Sequence, residues 1–164
     1  MGVENTADLL KHELGDLLYA ERQILKAMPK MIREASNPDM KQRLEAHRTE
    51  TEQQIGNLEK IFESMGQAAR GKKCPGILGI LEEKKEFDDE EDAPPEMVEA
   101  FNLGAGLRVE HYEIAGYRSA IALADATGKA EIATLLRENL EQEVEMARFI
   151  ETNSATVLKM LSAK

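Results

Sequence analysis

Tryptophan is absent from this chain, and three tyrosines with four phenylalanines bring the aromatics to only 4% of 164 residues. Sheets favour aromatic and β-branched side chains on their pleated faces, so this scarcity argues against a β-rich core. A single cysteine, Cys74, excludes an internal disulfide. Positive charge is in deficit: 21 Lys and Arg stand against 31 Asp and Glu, a formal net charge of −10. Such a surface repels phosphate backbones and anionic lipid, so neither nucleic acid nor a membrane is an expected partner. Also missing is any apolar run long enough for a secretory leader or a membrane span. A cytoplasmic protein is the expectation.

What the chain does have is 42% hydrophobic residues, with Leu, Ala, Glu, Lys and Met prominent. That composition suits helices and supplies core enough for one domain, expected to span 1–164 and to be all-α. Leu10, Leu14, Leu17, Leu18, Ile24, Leu25, Met28 and Ile32 recur with helical period and predict a first helix over 6–33. Ser36, Asn37 and Pro38 then provide a cap and a first-turn proline. Leu44, Thr51, Ile55, Leu58, Phe62 and Met65 carry the period on to Gly66, predicting a second helix packed antiparallel to the first.

A connection of about 30 residues follows, long enough to travel the length of a helix pair. Within it, Pro75 to Glu83 predicts one or two helical turns, and Asp88 to Asp92 is expected to be a solvated acidic loop. That acidic run lacks the ligand spacing and central glycine of an EF-hand loop. A third helix is predicted from about Glu96 to Ala126 and a fourth from about Lys129 to Leu161, broken at Thr127-Gly128. Four such helices make an antiparallel four-helix bundle whose long connection, carrying a short helix, joins the second and third.

The chemistry resides in carboxylates placed inside the apolar stripes. Glu21 lies among Leu17, Leu18, Ile24 and Leu25; Glu110 among Leu103, Leu107, Ile114 and Ile121; Glu143 among Leu136, Leu140, Ala147 and Ile150. Glu50 and Glu113 fall at stripe edges, while His47 and Gln54 lie just inside one. Depth agrees across each hairpin: Glu21 is 15 residues before Ser36 and Glu50 is 14 after it, and Glu113 and Glu143 each lie 15 from Gly128. Carboxylates converging at mid-height are how bundles build di-iron and di-manganese sites. A buried network with Arg22, Arg108 or Arg148 would satisfy the same charges without a metal. Cys74, beside Lys72 and Lys73, has the surroundings of a thiol with a lowered pKa. Tyr117 is expected inward and Tyr112 outward, and His12 on the surface.

The strings Leu17-Leu18-Tyr19-Ala20-Glu21-Arg22-Gln23-Ile24 and Val109-Glu110-His111-Tyr112-Glu113-Ile114-Ala115 resemble the YciE/YciF family of bacterial stress-associated proteins. His47 with Thr51, Gln54 and Leu58-Glu59, and Cys74 with Gly79 and Glu82, extend the likeness over nearly the whole chain. The resemblance implies a ferritin-like bundle related to rubrerythrin, a homodimer, and a biochemical function that is poorly defined. Against the ferritin-like pattern, Glu21 matches the first helix, Glu50 the second, Glu110 and Glu113 the third and Glu143 the fourth. Where that pattern wants histidine, three residues after Glu50 and Glu143, this chain has Gln53 and Met146. His47, one turn before Glu50, stands in reversed order as a substitute ligand.

The expected centre is therefore carboxylate-rich, with iron or manganese held by Glu21, Glu50, Glu110, Glu113, Glu143 and His47, and with Glu110 or Glu113 bridging. The chemistry open to it is oxidation of Fe(II) or removal of peroxide. The contrasting reading is a non-enzymatic helical stress or interaction protein whose carboxylates form a metal-free network. A DNA-protecting role is disfavoured by the charge of −10.

Overall fold

The computed structural model describes residues 2–163, and these form five helices with no strand. Helix α1 spans Thr6–Glu34, α2 Pro38–Ser64, α3 Pro75–Glu90, α4 Pro95–Ala126 and α5 Ala130–Ser162. Local chemistry sets most of these limits. The Asn5 side chain accepts from the Asp8 amide to start α1, and Asn37 does the same for Met40 at the start of α2, where Pro38 occupies the first turn. Gly66 and Gly128, at φ of 66° and 68°, are the residues in the left-handed region, and each reverses the chain just past a helix end. None of the helices is long and apolar enough to cross a membrane.

Helix α1 packs on α2 and α4, and α5 packs on α4 and α2, so the four long helices close a ring of contacts; α3 lies outside it against α4 and α1. Cross-helix bonds give the directions. Asn102 on α4 reaches Glu34, whereas Tyr112 reaches Asp16, so α1 and α4 run antiparallel. Asn57 and Gln53 on α2 meet Asn139 and Gln142 on α5 in the same opposed sense. Neighbours in the ring are thus antiparallel and diagonal helices parallel, which requires the 65–94 connection to travel the length of the molecule. Two apolar clusters fill the ends. Leu10, Leu14, Leu58 and Leu136 belong to one, and Met40, Leu103, Ile150 and Val157 to the other. The candidate carboxylates lie between them.

Three expectations about the connection change. Helix α3 has 16 residues and takes in Asp88, Asp89 and Glu90, which were expected in a solvated loop. Asp88 accepts from Lys30 on α1 at 2.6 Å and from Lys84 one turn earlier, which removes the repulsion that would fray the run. Phe87 stacks on Phe101 of α4 with ring centres 4.0 Å apart. Cys74 is fully buried, and burial pushes its thiol up rather than down. Lys72 and Lys73 are exposed, while the sulfur lies 2.7 Å from Tyr112 Oη, which donates to Asp16 Oδ2 at 3.1 Å. Tyr112 faces α3 rather than solvent, and it is half-buried there.

The two glycines of α3 respond to substitution in opposite directions. A methyl at Gly76 would stand 2.6 Å from the Tyr112 ring, which Cys74 and Asp16 hold in place. Gly76→Ala is therefore expected to cost about 1–3 kcal/mol by overpacking. Gly79 has open space, so Gly79→Ala is expected to stabilise by roughly 0.4–1 kcal/mol through reduced chain entropy. Urea midpoints of the two variants check the opposite signs.

Candidate metal centre

Each long helix delivers a polar side chain to one buried volume. Helix α1 contributes Glu21 from between Leu18 and Ile24, and α5 contributes Glu143 from between Leu136 and Ala147. Helix α2 contributes His47, and α4 contributes both Glu110 and Glu113. All five are buried, from 0% exposed for Glu21 and Glu143 to 4% for Glu110. Their ligand atoms gather into two groups, His47 with Glu110 and Glu143, and Glu21 with Glu113 and Glu143, with the atoms of each within 4.8 Å of one another. Glu143, rather than Glu110 or Glu113, is common to both groups.

The surrounding hydrogen bonds leave this cluster unsatisfied. Tyr117 Oη donates to Glu21 Oε1 and itself accepts from Asn139, whose carbonyl accepts from Asn57 at 2.9 Å. Beyond that chain, Glu21 Oε2, His47 Nε2, Glu110 Oε2, Glu113 Oε1 and both oxygens of Glu143 have no hydrogen-bond partner among the described residues. An unpaired buried polar atom costs on the order of 1–3 kcal/mol, and a buried charge more. The protein relieves part of this by holding protons. Burial raises the Glu21 carboxyl to about 7 despite the Tyr117 bond, and burial with carboxylate neighbours pushes Glu113 and Glu143 well above the usual range. Burial alone would lower His47, but Glu110 and then Glu50 outweigh it and raise the ring to about 9. Its Nε2 lies 3.3 Å from Glu110 and 3.6 Å from Glu143.

The sequence-predicted residues divide accordingly. Glu21, His47, Glu110, Glu113 and Glu143 come together, whereas Glu50 joins neither group. Glu50 is half-buried behind His47, accepting from Nδ1 at 2.8 Å and from Arg43 at 2.9 Å. The inward face of α2 runs His47, Thr51, Gln54 and Leu58, one residue out of register with Glu50 and Gln53. Glu113, expected at an edge, is 1% exposed because α1, α5 and α3 all pack on α4 and bury more of its circumference than the apolar stripe marks. Asn139 was not anticipated, although its place one turn before Glu143 among Leu136 and Leu140 was a usable signal. The arginines do not neutralise the centre: Arg22 pairs with Glu59 at 2.9 Å, and Arg108 and Arg148 are exposed. His111 is exposed and lies 3.2 Å from Glu151, while His12 is half-buried.

A cation fits these residues on chemical grounds. The open donors are carboxylate oxygens with one imidazole nitrogen, a hard set suited to iron or manganese. Glu50 on Nδ1 leaves Nε2 directed at Glu110 and Glu143, the carboxylate–histidine arrangement that orients metal ligands. Met146, three residues after Glu143, is 1% exposed in the apolar cluster and adds no hard donor.

Known proteins show the same chain organisation. Residues 5–160 match the family described as Domain of unknown function (DUF892). Protein YciF of Escherichia coli K12 is 34% identical over 144 residues, covering 87% of this chain and 86% of that one. Its crystal structure, described as that of a stress protein, superposes with a TM-score of 0.87 at 31% identity over 95% of this chain and 98% of that one. YcfI of Rhodopseudomonas palustris, provisionally described as a structural protein, gives 0.88 at 39% identity over 92% and 95%.

The buried protons set a pH dependence for the metal-free protein. The raised value of His47 contributes stability that is complete below 6.5 and lost as pH rises through about 9. Glu21 acts in the same direction, because the unfolded carboxyl ionises near 4.5 and the folded one near 7, so stability falls across that window. Glu50, whose value is lowered, gains its stability at lower pH and does not offset the loss above 6. The urea midpoint is therefore expected to fall from pH 6 to pH 9, and His47→Gln to shrink the part of the fall above pH 7. A midpoint that rises over this range contradicts these protonation assignments.

Proposed function

The chain belongs to the DUF892 family, and on that premise we propose that it is a stress-associated, ferritin-like protein with a di-metal centre inside a four-helix bundle of α1, α2, α4 and α5. In this reading α3 is the short helix carried by the long connection between the second and third bundle helices. His47 and Glu110 would hold one ion, Glu21 and Glu113 the other, and Glu143 both. Glu50 would orient His47 rather than bind. Iron or manganese is the expected metal, and bound iron would supply oxidation of Fe(II) by dioxygen or peroxide, with carboxylates favouring the ferric product. The observation that carries this reading is a set of buried atoms with no hydrogen-bond partner among the described residues, five carboxylate oxygens and the His47 Nε2, on side chains from four helices. The same reading takes the protein as a cytoplasmic homodimer.

One observation favours a second reading, a non-enzymatic helical stress or interaction protein with a metal-free carboxylate network. His47 is the only imidazole of the cluster, and at 3.3 and 3.6 Å from Glu110 and Glu143 its protonated ring would neutralise part of the charge.

Elemental analysis of purified protein, followed by anaerobic Fe(II) and Mn(II) titration by calorimetry, separates the two. Two ions per chain are expected, one for each group. Glu143→Gln is expected to disturb both sites at once, and Glu50→Ala to weaken binding by about 10–100-fold through loss of the His47 support. Absence of stoichiometric binding, with urea stability indifferent to either ion, sinks the metal reading and leaves the second.

A further inference from the structure

A cavity of about 50 Å³ lies between α1, α2, α4 and α5 on the side of the centre nearest the α1–α2 turn. His47 and Glu110 form its inner wall, and Leu81 of α3 borders it from outside the ring of long helices. Size and lining decide what can occupy it. One water needs roughly 10–15 Å³ of such space and two to four polar partners, so the room is that of about three to five waters. The wall offers few partners, being built largely of hydrocarbon and the thioethers of Met28, Met31, Met40 and Met146. Of its polar members, Glu99 is engaged by both backbone amides and the hydroxyl of the Ser36–Asn37 turn, and Asn102 donates to Glu34. The open atoms of His47 and Glu110 at the inner wall are the polar groups that face the candidate metal centre. Apolar cavities of this kind stay dry and admit apolar molecules instead. Polarisable sulfur adds attraction for such a guest.

Gly106 keeps the space open. A methyl added there would lie 3.5 Å from Ile150 and 3.6 Å from Met31, in ordinary contact, and anything longer would enter the cavity. Elsewhere the same helix closes tightly on its neighbour, since a methyl at Gly116 would stand 3.0 Å from Leu17.

We propose that this cavity is a dry compartment that binds a small apolar molecule of the size of dioxygen directly against His47 and Glu110. Binding stands on the cavity alone. The compartment's use, as the supply of dioxygen to the neighbouring centre, rests on the metal reading above.

The test uses metal-free, full-length protein with methyl-labelled Met and Leu, and compares NMR relaxation under dioxygen with relaxation under nitrogen. Dissolved dioxygen is paramagnetic and reports its own residence. The Met28 and Met146 methyls are expected to relax at least about threefold faster than the equally buried methyls of Leu10 and Leu58, because only the former border the cavity. Enhancements no larger than those of Leu10 and Leu58 overturn the proposal. Gly106→Leu, which fills the space, and Ala27→Leu, which narrows it from α1, are each expected to bring Met28 and Met146 down to the Leu10 level. An undiminished enhancement in a folded filled variant also overturns it. The metal titration decides the other reading separately: a chain that binds no metal yet shows the enhancement retains the compartment and loses the centre. In iron-loaded protein the filled variants are expected to take up oxygen several-fold more slowly at unchanged iron stoichiometry, and an unchanged rate overturns the supply role.

Discussion

Four carboxylates and one imidazole share a volume buried from bulk solvent, and the rest of the molecule is arranged around that electrostatic cost. Unpaired charges are expensive in such surroundings, and removing one partner from a buried network costs more than any exposed ion pair returns. Protonation lowers the cost, because the raised carboxyls of Glu113 and Glu143 can donate to their neighbours Glu21 and Glu110. The apolar clusters at either end supply the stability that permits the arrangement, each fully buried Leu contributing about 1.5–3 kcal/mol. A site this strained in charge is the kind that function maintains against stability.

Positioning extends outward from the cluster in two directions. On one side Glu21 is tied through Tyr117 and Asn139 to half-buried Asn57, so all four long helices share one chain of hydrogen bonds. On the other, Glu50 and Arg43 fix the ring of His47 from behind. Helix α3 braces the outside through Cys74 and Tyr112, and its Lys84 joins Glu34 and Asp88 across the α1 surface. The sole cysteine is thereby a cap and a packing atom. Its burial and raised pKa argue against thiol chemistry.

The departure from the ferritin-like histidine pattern has a local explanation. Met146 faces the thioether-lined cavity rather than the ligand groups, so the position that the pattern gives to imidazole here shapes an apolar wall. The imidazole of the cluster is that of His47, one turn before Glu50 on α2. The cluster therefore holds four carboxylates and one imidazole, with an apolar wall on the side of Met146.

Helical periodicity, caps and the Gly66 and Gly128 breaks determined the four long segments and the all-helical class, because these are properties of neighbouring residues, whereas the full extent of α3 was not legible. The inward course of Glu21, Glu110 and Glu143 was equally legible, since each sits at the centre of an apolar stripe. Glu113 was not, and Glu50, read at a stripe edge and half-buried there, was legible in position but not in its place behind His47. How much of α4 is covered depends on the three helices that pack on it, and which side of α2 turns inward depends on a rotation that a stripe of few apolar residues leaves loose. The acidic run at Asp88 needed Lys30 from 58 residues away to become helix, and Cys74 needed Asp16 and Tyr112 to lose its basic setting. A one-dimensional pattern records the preference of each residue for burial. Only the packed structure decides which charges share the same dry space, because that depends on contacts between distant segments.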